Sequence, residues 1–511
     1  MNVTLCDDRT MGLLMSTRAR LGPVWLLAWL AVAGCDRATP RPLEAGEAAG
    51  ERGLPTPRGS VSLASVTLTA VPFVKQKPDF CGEACIEMAA RRLGKGYDQD
   101  AVFAQTGLDP ALGRGAYTKE LVLAAQRLGF EPGQVWSQID AHDPAPGLGD
   151  AFAALHADLV RGVPSIVCMH YDERPNTTEH FRLVVGYDQA ADEVVYHEPA
   201  EEAGAYRRMK RDRFEDLWPL KYDSAKWSLV RIALSPGKLA EPAPATSTFS
   251  PADYAQHVMK LRERLEEKKL GKLNIRIEEP FVVVGNDSPD VLAKRAQTVR
   301  WAADHLEKDF FQKRPSRILD VYLFNDETSY DRGVAILTGS APTTPYGFYS
   351  STHAGLFMNI ATGGGTLVHE IVHPYVEADL LDAPAWLNEG LGSLFEQSAE
   401  REGHIIGLTN WRLAGLQRAI KRDQVPTFAA LAAMSDRVFY DQDRGTNYAQ
   451  ARYLFHYMQE RGQLVPFYKA YRAAQKADPS GYATLQKVLG EKDMADFKLR
   501  WQEYVLGLRF N

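Results

Sequence analysis

The stretch Thr366–Glu396, TLVHEIVHPYVEADLLDAPAWLNEGLGSLFE, constrains this chain more than any other. His369 and His373 are four residues apart, so on a helix both imidazoles leave one face, a turn apart. Leu367, Val368, Ile371 and Val372 predict that this helix is buried in a core. Glu370 lies beside the first His, where a carboxylate can act as a base without being a ligand. Fifteen residues separate His373 from Glu389, in Trp386-Leu387-Asn388-Glu389-Gly390. A ligand from a second helix would complete His369, His373 and Glu389, a set that suits Zn2+ and leaves a fourth tetrahedral position open. Two neutral imidazoles and one carboxylate keep such an ion Lewis-acidic enough to polarise a carbonyl.

These residues resemble the gluzincin metallopeptidases, the group that includes thermolysin and the zinc aminopeptidases. The similarity covers Pro251–Asn511 and is tightest at HEIVH and WLNEGLGSLFE. It implies a zincin domain with a mostly helical C-terminal part, a Zn2+ cofactor and peptide-bond hydrolysis with Glu370 as base. The spacing from His373 to Glu389 is a few residues shorter than is usual there, so the connecting loop is expected to be tight. The aminopeptidases carry a Gly-Ala-Met-Glu-Asn edge strand whose Glu holds the substrate amine. The corresponding stretch reads Gly355-Leu356-Phe357-Met358-Asn359, without that Glu, so an endopeptidase fits better. Tyr448 matches the position of an aminopeptidase tyrosine that hydrogen-bonds the oxyanion, and an ordinary helix-start aromatic fits equally well.

The N-terminus reads as a targeting segment. Arg18 and Arg20 precede an apolar run, Leu21–Ala33, too short to span a bilayer comfortably. It ends Val32-Ala33-Gly34-Cys35, which looks like a bacterial lipoprotein box. That resemblance implies a signal peptide over residues 1–35, lipidation of Cys35, and an exported, membrane-anchored location on a periplasmic or cell-surface face. Asp36–Ser60, rich in Pro, Gly, Ala and charge, reads as a disordered tether. With 59 basic against 65 acidic residues and no basic cluster, nothing argues for nucleic-acid binding.

Residues 61–235 form a first expected unit. Ala84, Cys85, Met88, Ala89 and Leu93 have helical spacing, which places Cys81 at a helix start, where dipole and free amides lower a thiol pKa. His180-Phe181-Arg182-Leu183-Val184-Val185 and Glu193–His197 read as paired strands. A Cys at a helix start with a His opening a distant strand is expected of a thiolate–imidazole pair. Gln76…Cys81-Gly82, His180-Phe181 and Glu198-Pro199 together resemble the papain-like cysteine peptidases that trim double-glycine leader peptides. The resemblance implies that Gln76 supports an oxyanion hole, Cys81 attacks, His180 is the base and Glu198 orients it. The family has Asp at the last position. Cys85 and Cys168 read as core residues, and an exported location permits a disulfide between them.

Residues 236–250 (PGKLAEPAPATSTFS) read as a linker, and 251–511 as the second unit. Within it Ile275–Val284 and Ile318–Phe324 read as strands, Pro251–Lys269 and Pro289–Phe311 as helices. Tyr346–Ile360 reads as a further strand or strand pair at the edge of a cleft, and Gly363-Gly364-Gly365 as the turn into the metal helix. The fold class expected is α+β: a papain-like domain followed by a zincin domain. The function expected is zinc-dependent cleavage of a peptide or protein substrate, with a cysteine peptidase, or an acyl-transferring relative, upstream. Two alternatives remain open: an upstream domain that only binds peptides, or a scaffold with both sites inert.

Overall fold

The computed structural model describes residues 63–175, 177–240, 248–380, 382–441 and 445–510. The expected signal peptide, Cys35 and the expected tether lie outside these residues. No helix among the described residues is long and apolar enough to cross a membrane.

The architecture is mixed α+β, with two sheets in succession and a helical remainder. The first sheet contains β1 (Val66–Thr67), β2 (Trp136–Asp140), β3 (Ser165–His170), β4 (Glu179–Asp188), β5 (Glu193–His197), β6 (Arg207–Lys210) and β7 (Lys226–Ala233). Its order is β2-β7-β3-β4-β5-β6, with β1 added to β4, and its pairings are antiparallel. The central strands β3 and β4 are buried along nearly their whole length. Helix α1 (Cys81–Arg92) packs Cys85, Ile86, Met88 and Ala89 into this core, and α2 (Gln99–Thr106) flanks it.

The linker expected at 236–250 begins as part of this unit. Ser235–Pro236 pair with Phe130–Glu131, and the Tyr97 hydroxyl donates to the Ala240 carbonyl.

Helix α3 (Pro251–Glu267) opens the second half, capped by Ser250 and Asp253 in a reciprocal box. The second sheet holds β8 (Asn274–Glu278), β9 (Phe281–Gly285), β10 (Leu319–Phe324), β11 (Gly347–Ser350) and β12 (Gly355–Asn359), in the order β8-β9-β10-β12-β11. Strands β9, β10 and β12 are parallel, and both outer strands run antiparallel to their neighbours. Ile275–Val284, expected as one strand, is two: Pro280 cannot donate to a ladder, and the chain turns between Glu278 and Phe281. The parallel strands are buried at every position because both faces are covered. Val283, Val321, Leu323 and Met358 face α4 (Pro289–Asp309) and the metal helix. Val282, Val284, Tyr322 and Phe357 face α3 and α5 (Glu327–Thr338).

The expected strand pair at Tyr346–Ile360 is present, with one correction. Gly355–Asn359 is a fully buried inner strand, and the sheet edge is Gly347–Ser350. The comparison with an aminopeptidase edge strand therefore belongs to GFYS, which also lacks a Glu.

Helices α6 (Gly364–Asp379), α7 (Ala385–Leu394), α8 (Asp436–Asp441) and α9 (Thr446–Gln459) build the wall of the cleft. Gly365 lets α6 start against the turn after α7, since a Cβ there would meet the Glu396 carbonyl oxygen at 2.0 Å. Helix α6 runs on through Pro374, whose missing N–H leaves the Glu370 carbonyl without its helical donor.

Candidate metal centre and cysteine site

Helix α6 presents His369 and His373 on one face, their rings 4.9 Å apart between centroids and tilted by 72°. Glu389, in the middle of α7, comes from opposite. Its Oε2 lies 3.2 Å from His369 Nε2, and its Oε1 lies 4.0 Å from His373 Nε2. Glu370 Oε2 is 3.7 Å from His373 Nε2, and His369, Glu370 and His373 offer ligand atoms within 4.8 Å of one another. All four side chains line one cleft of 1490 Å³. Glu370 Oε2 also accepts a hydrogen bond from the Tyr349 backbone N–H on the edge strand, at 2.9 Å. This contact aims the Glu370 carboxylate along the sheet edge.

The remaining imidazole nitrogens are held from outside. His369 Nδ1 is 3.2 Å from Glu396 Oε1, and His373 Nδ1 is 2.9 Å from Asn388 Oδ1. Arg412 donates to both oxygens of Glu396, at 2.8 and 2.6 Å, and Asn410 Nδ2 donates to Oε2 at 2.9 Å. The Tyr440 hydroxyl donates to Glu389 Oε1 at 2.8 Å. Each Nδ1 is thus fixed outward, and both Nε2 atoms turn toward Glu389, an arrangement outer partners commonly impose on ligand imidazoles.

Electrostatics favour positive charge at this point. Burial opposes a charge on His369, yet the Glu389 and Glu396 hydrogen bonds outweigh it and raise the ring to about 10. Burial likewise pushes Glu389 and Glu396 up, but His373 and His369 around the first, and Arg412 and His369 beside the second, hold both at about 2. Glu370, where burial dominates, is raised. Gly392 leaves room for the His369 ring, since a Cβ there would meet its Nε2 at 2.9 Å. Two imidazoles, an ionised carboxylate and this cradle fit a zinc ion. Tyr448, in the first turn of α9, lines the same cleft with the Arg412 guanidinium 5.1 Å from its ring.

The second cluster lies where β4, β5 and the start of α1 meet. His180 Nε2 is 2.5 Å from Glu198 Oε1, as expected of an orienting carboxylate. Gln76 is brought there by its backbone N–H, which donates to the Pro199 carbonyl at 2.9 Å, and its side-chain oxygen is buried without a partner. Cys81 begins α1, and its thiol meets the Phe181 backbone next to His180. No hydrogen bond joins the thiol to the His180 ring among the described residues.

The surroundings of the Cys81 thiol act against the lowering expected at a helix start. Burial pushes the thiol up to about 12; the Phe181 amide works against this, and the Glu83 and Asp79 charges add to it. Cys85 and Cys168 are buried core residues, and all three described cysteines are free.

Arg182 is a residue the sequence reading passed over. Its Nε donates to Glu198 Oε2 at 2.6 Å, while its Nη atoms donate to the His170 and Tyr171 carbonyls. Burial raises Glu198, but His180 and Arg182 together bring it to about 2. The signal was available: residues i and i+2 of a strand share a face, so Arg182 accompanies His180. For Glu396, Arg412 and Tyr440, no local spacing gives such a cue.

Residues 68–225 match the model of a family described as Peptidase_C39 like. Residues 68–225 form a C39-peptidase-like domain. Residues 363–479, which include His369, His373, Glu389 and Tyr448, match a family described as a protein of unknown function, DUF1570. Among solved structures, a match is the peptidase domain of Streptococcus ComA, a bifunctional ABC transporter involved in a quorum-sensing pathway. It is 19% identical over 31% of this chain and 97% of that chain, with a TM-score of 0.22. No curated protein matches. The C39-peptidase-like domain is followed by a largely helical C-terminal part.

Proposed function

We propose that the chain is an exported, lipid-anchored peptidase whose 251–511 region hydrolyses peptide bonds with zinc. The observation that carries this reading is the convergence of His369 Nε2, His373 Nε2 and the Glu389 carboxylate, with Glu370 alongside in the same cleft. His369, His373 and Glu389 would hold the ion, which would act as a Lewis acid toward a scissile carbonyl. Glu370, oriented by the Tyr349 N–H, would take a proton from a water whose oxygen bonds to the scissile carbonyl carbon, and would later give it to the amine that leaves as the C–N bond breaks. Tyr448, which lines the same cleft, would donate to the developing oxyanion. The order of strands, with an antiparallel edge beside the metal helix, suits an extended peptide and supports the zincin reading. The substrate is a peptide or protein, in keeping with the upstream C39-like domain. The lipid anchor at Cys35 and the bacterial envelope location rest on the lipobox-like sequence.

A second reading, in which the C39-like domain captures peptides without cleaving them, is favoured by the surroundings of the Cys81 thiol, whose burial pushes it up. The test uses the chain with Cys81→Ala, digesting an unfolded protein before and after chelation and after zinc is restored, beside Glu370→Gln. Zinc bound at one equivalent, with cleavage reduced about a thousandfold in Glu370→Gln, is the expected result. A chain that binds no zinc would end this reading in favour of a scaffold.

A further inference from the structure

Helix α3 carries two apolar faces. Tyr254, Val258, Leu261 and Leu265 lie on the second sheet. Ala252 and Ala255, both fully buried, face the other way, onto Phe80 and Phe103, whose rings stack at 5.0 Å and 7°. Phe80 is the residue before Cys81 and the N-cap of α1. Alanine at both helix positions lets this ring pair come up to the helix backbone, because a larger side chain would fill the same space.

Polar contacts repeat the docking. Gln256 Nε2 donates to the Pro78 carbonyl at 2.8 Å, and Arg262 Nη2 donates to the Ala111 carbonyl at 2.9 Å. Gly113, at φ +61°, lies so close that a Cβ would meet the Met259 nitrogen at 2.9 Å. The segment carrying Ala111 and Gly113 then returns to the cysteine turn. Gly115 N donates to Asp79 Oδ2 at 3.0 Å, and Ala116 N donates to Glu83 Oε1 at 2.8 Å. Pro78 and Phe80 are therefore held by α3 directly, and Asp79 and Glu83 through that segment. Asp79 itself sits at φ +62°, a conformation that surrounding contacts must maintain. On its other side α3 is tied to the sheet, with His257 Nε2 2.7 Å from Asp320 Oδ1 and Arg264 Nη2 2.5 Å from Asp320 Oδ2.

We propose that α3 is a structural member of the cysteine site, with Ala255 and Gln256 as positioning residues for the Cys81 turn. Both lie outside the residues that match the C39-like family. The role holds whether the thiol cleaves or the domain only binds, because it concerns where Cys81 is kept. It also makes the matched segment an incomplete unit: the brace on its nucleophile turn comes from the half that carries the metal cluster.

The test measures iodoacetamide alkylation of the full chain at alkaline pH, with each cysteine mapped by mass spectrometry. Cys85 and Cys168 serve as internal references. Gln256→Ala removes one hydrogen bond, and Ala255→Leu wedges the ring pair. Each is expected to raise the Cys81 rate relative to Cys85 about fivefold, the scale of one lost contact. Leu265→Ala, on the sheet-facing side, is expected to leave that ratio unchanged. The proposal is overturned if both folded variants keep the wild-type ratio, or if Leu265→Ala raises it equally. Should Ala255→Leu fail to fold, Gln256→Ala decides alone.

Discussion

The two clusters use the same pairing, a histidine against a carboxylate, and differ in what surrounds it. In the metal cluster each imidazole has one nitrogen tied outward, to Glu396 or Asn388, and the other aimed at Glu389. In the cysteine cluster Glu198 is shared between His180 and Arg182, and the thiol sits among Glu83 and Asp79. Carboxylates outweigh burial and favour a cation at the first place, whereas burial is the main force against a thiolate at the second. Residue type alone does not poise a site; burial and the charge around it do.

The largest effect expected from this contrast is at Cys81. With the thiol at about 12, the thiolate is scarce at neutral pH, although it is intrinsically more nucleophilic. Alkylation of Cys81 at pH 7 is expected to be about a hundredfold slower than that of cysteine in an unstructured peptide. A rate equal to or above the peptide's would break the comparison and show a thiolate–imidazolium pair. The metal cluster offers the next test. Glu396→Ala removes the group that fixes His369 Nδ1 and leaves Arg412 unpaired. Zinc affinity, measured by competition with a chromogenic chelator, should fall by about tenfold to a hundredfold. An unchanged affinity would mean that α6 alone sets the imidazole.

How much of this was legible follows from how far apart the partners lie along the chain. His369, Glu370 and His373 sit within one helical turn, so their shared face can be read from spacing. Glu389 was legible through its sequence surroundings, and His180 through the start of a strand. Glu396, Arg412 and Tyr440 reach the cluster from separate elements, and only tertiary packing brings them there. The helix dipole argument for Cys81 was sound locally and lost to burial and two nearby acids, neither measurable before the fold was known. The turn at Pro280 was readable and was missed because the apolar run around it hid the proline. Helix α5 went unread, its apolar pattern being short and weak.

Glu83 sharpens the contrast through pH. It is fully buried, one oxygen accepts from Ala116 N and the other has no partner among the described residues, and burial raises it to about 8. Its folded pKa lies above the unfolded value of 4.5. The stabilisation is therefore fully present below pH 4.5 and is lost as pH rises through about 8. Between pH 5 and 7 the wild-type chain should lose roughly 2 kcal/mol relative to Glu83→Gln, which keeps the acceptor for Ala116 without titrating. Denaturant unfolding of both proteins at the two pH values measures the difference. Parallel pH slopes would show that Glu83 is ionised in the fold.

The smallest effect separates two tyrosines of one cleft. Tyr440 donates to Glu389, and Tyr448 lines the cleft beside Arg412. Removing the Tyr440 hydroxyl takes a hydrogen bond from the carboxylate proposed as a ligand, so Tyr440→Phe should weaken zinc binding about fivefold. Tyr448→Phe should leave zinc affinity as it is while lowering kcat with KM little changed, as expected when a contact is made only in the transition state. Zinc titration and peptide kinetics on both variants read the two effects apart. If the effects are exchanged, with Tyr448→Phe losing zinc and Tyr440→Phe losing turnover, the roles assigned from position in the cleft are reversed. Tyr440 would then be the oxyanion donor that sequence resemblance had placed eight residues downstream.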